Sequence, residues 1–156
     1  MRVDTTRFGQ LESVEVPEQA LLRLPRGLYG FEAHRDFALI EEARYLPFRW
    51  LQALDDPCLR FVLLPPAVID PGYAPELSSA DLELLELEPG ERHEMYAIVV
   101  GPRDLRAMTA NLKAPLVINP RRRLALQVIL SDERYSLRHP VAAGAVQLAA
   151  DGRAAC

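Results

Sequence analysis

The chain of 156 residues is 49% apolar and 26% charged, with a formal net charge of −4. That length suffices for one domain that buries a core without a metal or a disulfide staple, and the composition excludes a disordered chain. No apolar run approaches the ~20 residues needed to span a bilayer, which argues against a membrane protein.

The N-terminal half reads as short extended segments between strong turn signals. Val3 to Phe8 and Leu11 to Val16 flank Gly9-Gln10, which suits a tight hairpin. Leu24 to Glu32 holds Gly27 and Gly30 beside Pro25 and reads as a loop. A phosphate loop is excluded there, because the Gly-Lys-Ser/Thr ending and the following helix are missing. Phe37 to Ile40, Phe48 to Leu54 and Leu59 to Leu64 read as three strands, separated by Pro47 and by Asp55-Asp56-Pro57. The two aspartates suit turn capping. As a catalytic pair they are poor candidates, since neighbouring side chains in extended structure point to opposite faces.

One helix is expected. Ser78-Ser79-Ala80-Asp81 matches a capping start, Leu82, Leu84, Leu85 and Leu87 supply an apolar face, and Pro89-Gly90 ends the element. Glu86 and Glu88 oppose the macrodipole at its C-terminus, so it should be short. A strand from Glu94 to Val100 follows. Leu116 to Ile118 and Leu124 to Leu130 then read as two adjacent strands joined by the basic loop Arg121-Arg122-Arg123, with Pro115 and Asn119-Pro120 bracketing the first. Many short strands, frequent turns, 13 prolines and one small helix predict a mainly β, small antiparallel β-barrel-like single domain over residues 1–140. The Ala/Gly-rich residues 141–156 lose all periodicity and read as a disordered tail.

Residues 1–100 carry 18 acidic and 9 basic side chains, a net −9, whereas residues 101–140 carry 3 and 8, a net +5. An acidic body disfavours direct nucleic-acid binding, because phosphate neutralisation by Lys and Arg drives non-specific affinity. The basic loop reads as a solvated segment whose arginines pair with nearby carboxylates. Cys58 and Cys156 lie far apart, and with no leader segment they point to a reducing cytoplasm and no structural disulfide. Cys58 itself reads as a small half-buried hydrophobe.

No catalytic constellation is legible. His34, His93 and His139 sit in no recognisable motif and are too scattered for a metal site. Phe48 and Trp50 alternate onto one strand face and read as core rather than as a base-stacking platform. No cofactor and no enzymatic activity are expected.

Six segments in order carry a resemblance. They are Phe8-Gly9-Gln10-Leu11-Glu12, Leu28-Tyr29-Gly30-Phe31-Glu32, Phe48-Arg49-Trp50-Leu51-Gln52, Asp55-Asp56-Pro57, the octet Met108 to Pro115 with Ile118-Asn119, and Tyr135-Ser136-Leu137-Arg138-His139-Pro140. Through them the chain resembles the flagellar assembly factor FliW family. The resemblance implies a small cytoplasmic β-barrel protein that binds the translational repressor CsrA, relieves repression of flagellin synthesis, and exchanges CsrA for flagellin as a competing partner. A flagellin-specific chaperone is the alternative, and a small-molecule-binding barrel or enzyme ranks last. Within the family segments, Asn111, Lys113, Asn119, Tyr135 and Arg138 are the candidate partner-binding residues, being polar or amphipathic where core residues would be expected. Against that stands a structural role: Asn111 and Asn119 would cap turns, and Tyr135 and Arg138 would fix the last strand. No segment leaves an apolar seam for a subunit interface, so a monomer is expected.

Overall fold

The computed structural model of the protein describes residues 1–7, 9–101 and 108–141. Strands β1 (Arg2–Arg7) and β2 (Gln10–Glu15) form the expected hairpin, with Arg7 opposite Gln10 and Gly9 at a positive φ of 77°. Phe8, expected at the end of the first strand, lies outside the described residues.

The rest of the sheet winds into a barrel. Strands β3 (Leu21–Arg23), β4 (Asp36–Ile40), β5 (Arg49–Ala53), β6 (Arg60–Leu64), β7 (Glu94–Val100) and β8 (Thr109–Asn119) pair antiparallel in succession, and β8 turns back into β9 (Leu124–Gln127). The circle of seven strands closes where β9 meets β3 in parallel through one residue pair, Arg23 and Leu124. There the Arg23 N–H donates to the Arg123 carbonyl at 2.9 Å. A two-residue strand, β10 (His139–Pro140), adds to the start of β8. The mainly β barrel with one short helix is therefore as the sequence predicts, save that its closing seam is parallel.

Period-two alternation explains how the strands fill both sides of this sheet. Phe37, Leu51, Leu63, Leu116 and Ile118 meet in the interior with Leu24 and Leu28. Their neighbours point outward into three further clusters: Ala38, Ile40 and Trp50 pack under the hairpin on Val3 and Val16; Leu64, Ala97, Met108 and Leu112 pack with Phe48 and Val141; and Val117, Leu126 and Val128 pack on Leu85 and Leu87. The run Leu116-Val117-Ile118 is uniformly apolar because β8 is covered on both faces. A fully buried leucine or isoleucine contributes about 1.5–3 kcal/mol, so these layers supply most of the barrel's cohesion.

The helix α1 (Ser79–Leu84) starts where expected: the Ser78 hydroxyl accepts from the Asp81 N–H at 3.1 Å. It ends earlier than Pro89-Gly90, because Glu86 takes a positive φ of 53° and the Leu87 N–H returns to the Leu82 carbonyl at 2.9 Å. That exit turn buries Leu85 and Leu87.

Several expectations change. β8 begins at Thr109 and runs through Pro115, which was expected to bound it. Phe48 precedes β5 and belongs to a different cluster from Trp50, so the two do not share a strand face, although both are buried. β3 and β10 carry no sequence signal of their own, because two or three residues show no period. Val141 is packed in the core and its N–H donates to the Met108 carbonyl at 3.1 Å, so the expected tail starts no earlier than residue 142. Residues 142–156 lie outside the described residues. Cys58 is exposed rather than half-buried and is not a free thiol, against the expectation of no disulfide; Cys156 lies outside the described residues.

Candidate partner-binding surface

The octet Met108 to Pro115 departs from plain strand geometry. Tyr96 of β7 faces Leu116, whereas Ile98, two residues on, faces Asn111. One residue of β7, Ala97, thus lies against four of β8, Leu112 to Pro115. A bulge of this size leaves backbone groups without ladder partners, and each must be satisfied another way.

Asn111 does part of this through its own turn. Its Oδ1 accepts from the Lys113 N–H at 3.1 Å and the Ala114 N–H at 2.9 Å. The remaining groups reach the segment 127–136 and one distant tyrosine. The Leu112 N–H donates to the Ser136 carbonyl at 2.9 Å, and the Lys113 and Pro115 carbonyls accept from the Leu130 and Val128 N–H groups, both at 2.9 Å. The Leu112 carbonyl accepts from the Tyr73 hydroxyl at 2.7 Å. Pro115 is tolerated because it sits in the bulge, where its missing N–H has no ladder partner to lose.

Around this knot four of the five candidate residues gather. The Lys113 Nζ donates to the Asp132 carbonyl at 3.1 Å. Tyr135 is half-buried, its ring edge-to-face with Tyr73 at a centroid distance of 4.7 Å. The Arg134 guanidinium lies 5.5 Å from the Tyr135 ring centre and grips Asp132, with Nη2 2.7 Å from Oδ2. That grip, helped by the Arg134 backbone N–H, holds the Asp132 carboxyl below the usual carboxylate range. Tyr73 shifts the other way: burial first, then Tyr135 and Asp70, push its hydroxyl well above the ordinary phenol. Arg138 is exposed, its backbone N–H on the Ser136 hydroxyl at 3.0 Å, next to Leu137, which is 59% exposed.

Asn119 stands apart, at the far end of β8. It is fully buried, its Nδ2 donating to the Leu85 and Glu86 carbonyls and its Oδ1 accepting from the Arg121 and Arg122 N–H groups. In this conformation it presents no atom to a partner. Tyr73, Asp132 and Arg134 belong to the surface and were not read from sequence. Tyr73 sits among prolines and a glycine, where no period marks it as half-buried.

Other chemistry is thin. The Arg121-Arg122-Arg123 loop meets Glu91, Glu86 and Glu18 at 2.7, 3.5 and 3.4 Å, so its charge is locally paired as read. His34 and Asp55 come together at 2.8 Å on the surface, and the imidazole contact holds the Asp55 carboxyl down. Among the described residues no group of three His, Cys, Asp or Glu side chains is placed to hold a metal, and no helix is long and apolar enough to cross a membrane. Among the described residues the arrangement offers recognition groups.

A sequence model described as "FliW protein" matches residues 2–141. The chain is similar to the flagellar assembly factor FliW of Syntrophus aciditrophicus, with 38% identity over 141 residues, covering 90% of this chain and 87% of that one. The FliW of Bdellovibrio bacteriovorus is 37% identical, covering 90% and 79%. The solved crystal structure of a flagellar assembly factor FliW superposes with a TM-score of 0.78 at 33% identity, over 90% of this chain and 96% of the other.

Proposed function

The chain belongs to the FliW family of flagellar assembly factors, and on that premise we propose that it is a cytoplasmic, non-enzymatic regulator that binds the repressor CsrA and exchanges it for flagellin. Bound to this protein, CsrA releases flagellin messenger RNA; as flagellin accumulates it takes up the protein, frees CsrA and lowers flagellin synthesis. The exchange requires that the two complexes disfavour each other through overlapping or coupled surfaces.

The observation that carries this reading is the charge partition: a net −9 over residues 1–100. A repressor is basic where RNA sits, and an acidic body docked beside that site repels phosphate over a range near the ~8 Å Debye length. The partner surface we assign comprises Lys113, Tyr135 and Arg138, with Asn111 setting the bulge that carries Lys113 and Asn119 anchoring the other end of the strand. Calorimetric titration with CsrA of the same organism, repeated after saturation with flagellin, tests the exchange. Micromolar or tighter binding that flagellin abolishes supports it; binding of flagellin alone overturns it.

A chaperone for flagellin is the second reading. Exposed Ile129 and Leu137, each 59% accessible, favour it by offering apolar contact to an unassembled partner. It requires that the protein suppress flagellin aggregation when CsrA is absent.

A further inference from the structure

We propose that the outer edge of β2 is a docking strand, to which an extended basic segment of a partner protein adds by backbone pairing. The inference holds whichever protein supplies that segment, and its failure would leave the CsrA–flagellin exchange untouched.

Among the described residues β2 pairs with β1 on one side only, through six consecutive residue pairs. Every residue from Gln10 to Glu15 is exposed except Val14, which is half-buried. Which backbone groups point outward follows from parity. Val16 exchanges hydrogen bonds with Met1, its N–H donating at 2.9 Å and its carbonyl accepting from the terminal ammonium at 2.9 Å. Bonded positions alternate along an antiparallel ladder, so Gln10, Glu12 and Val14 face β1. The N–H and carbonyl groups of Leu11, Ser13 and Glu15 face away from it.

Natural sheets protect such an edge with charged side chains, proline, a bulge or a cover. β2 carries Glu12 and Glu15 but no proline, and its register with β1 is unbroken, so among the described residues its protection is negative charge, which repels an acidic strand and not a basic one. A six-residue edge open in this way is a template for strand addition.

The chemistry of the guest follows from what surrounds the edge. Glu12 is half-exposed and lies 4.0 Å from Arg7, a buried side chain already bonded to Glu42. Glu15 is more exposed and is shared with the terminal ammonium and Arg2. Where β2 ends, its last residues border a cleft of about 560 Å³ floored by Val14, Leu39 and Ile118 and rimmed by Glu15, Glu41 and Glu94. Glu41 meets Arg49, but Glu94 makes no ion pair among the described residues. An incoming strand with cations among β-branched residues would pair its backbone with Leu11, Ser13 and Glu15, answer Glu12 and Glu94, and lay apolar side chains over the cleft.

The test uses the whole protein with a fluorescent hexapeptide of alternating arginine and valine, and a control with glutamate in place of arginine. The expected result is binding of the arginine peptide alone, with amide exchange slowed at Leu11, Ser13 and Glu15 but not at Gln10 or Glu12. Ser13→Pro removes an outward N–H and leaves the backbone ladder of the hairpin in place; it also loses the Ser13 hydroxyl bond to Asp4, a loss that Ser13→Ala shares, so Ser13→Pro should weaken binding about tenfold where Ser13→Ala does not. Should Ser13→Pro fail to fold, the exposed pair Glu12→Gln and Glu15→Gln gives the same weakening. No binding of the arginine peptide, or binding without slowed exchange at the three outward amides, overturns the proposal.

Discussion

The Nδ2 of Asn119 lies 2.8 Å from the carbonyl oxygen of Leu85, so the last residue of β8 holds the exit turn of α1. The same side chain receives the Arg121 and Arg122 N–H groups. Asn119→Ala would leave all four backbone groups to find other partners in a buried place. An unsatisfied buried polar group costs ~1–3 kcal/mol. The thermal midpoint is expected to fall by roughly 3–10 °C, as read by circular dichroism. An unchanged midpoint would show that the turn holds without it.

Arg138 makes the opposite prediction. Its side chain is exposed, and Arg138→Ala should leave stability within about 0.5 kcal/mol. If this surface meets a partner, affinity in a titration falls about tenfold, or ~1.4 kcal/mol. Lys113→Ala should behave similarly, since only the one bond to the Asp132 carbonyl is lost. Unchanged affinity in both variants would remove the surface from consideration.

Gly27 adopts a φ of +63°, and a Cβ built on it would lie 2.7 Å from the Cα of Glu32. Both the left-handed backbone and the contact penalise any side chain. Gly27→Ala is expected to cost at least ~1–3 kcal/mol, measured by urea unfolding. Gly30→Ala, also at positive φ but with open space around it, should cost less.

Alkaline pH should destabilise the protein through Tyr96 and Tyr73. Burial pushes the Tyr96 hydroxyl up to about 12 and raises Tyr73 as well. The unfolded chain loses these protons near pH ~10, so their contribution is complete below that value and is lost as pH rises through the folded values. The urea midpoint should therefore fall from about pH 10 upward. Acid acts in the other direction on Glu91, lowered chiefly by its hydrogen bond to Arg121, and on Asp132, lowered by Arg134. Their contribution is present above the ordinary carboxylate range and fades as pH falls through the depressed values. Being exposed, they should shift the midpoint only slightly.

Salt separates the electrostatic part of the proposed antagonism from docking itself. Raising ionic strength should weaken the displacement of RNA from CsrA faster than it weakens the complex with CsrA, because repulsion at a distance is screened before contacts are. Parallel salt dependences in a competition assay would argue for direct occlusion of the RNA site.

Much of this fold could be read from the chain because its signals are local. The Ser78 cap, the Gly9 turn and the strand Glu94–Val100 depend on residues within one element. The bulge in β8 could not be read, since Pro115 reads as a boundary unless the partners of its neighbours are known, and those are Tyr73 and the segment 127–136, far along the chain. The same holds for the site. Asn111 and Lys113 stand out by residue type, yet the buried anchoring of Asn119 by Leu85 joins residues 34 apart, a relation no motif records.

The parallel seam at Arg23 and Leu124 bears on the order in which the barrel assembles. It joins positions about a hundred residues apart through a single pair, whereas the other ladders of the circle join strands consecutive along the chain. The entropy of so long a loop must be overcome before one pair rewards it. Closure is thus expected late on the way to the native state, and the wall between β3 and β9 is where the circle should first come apart.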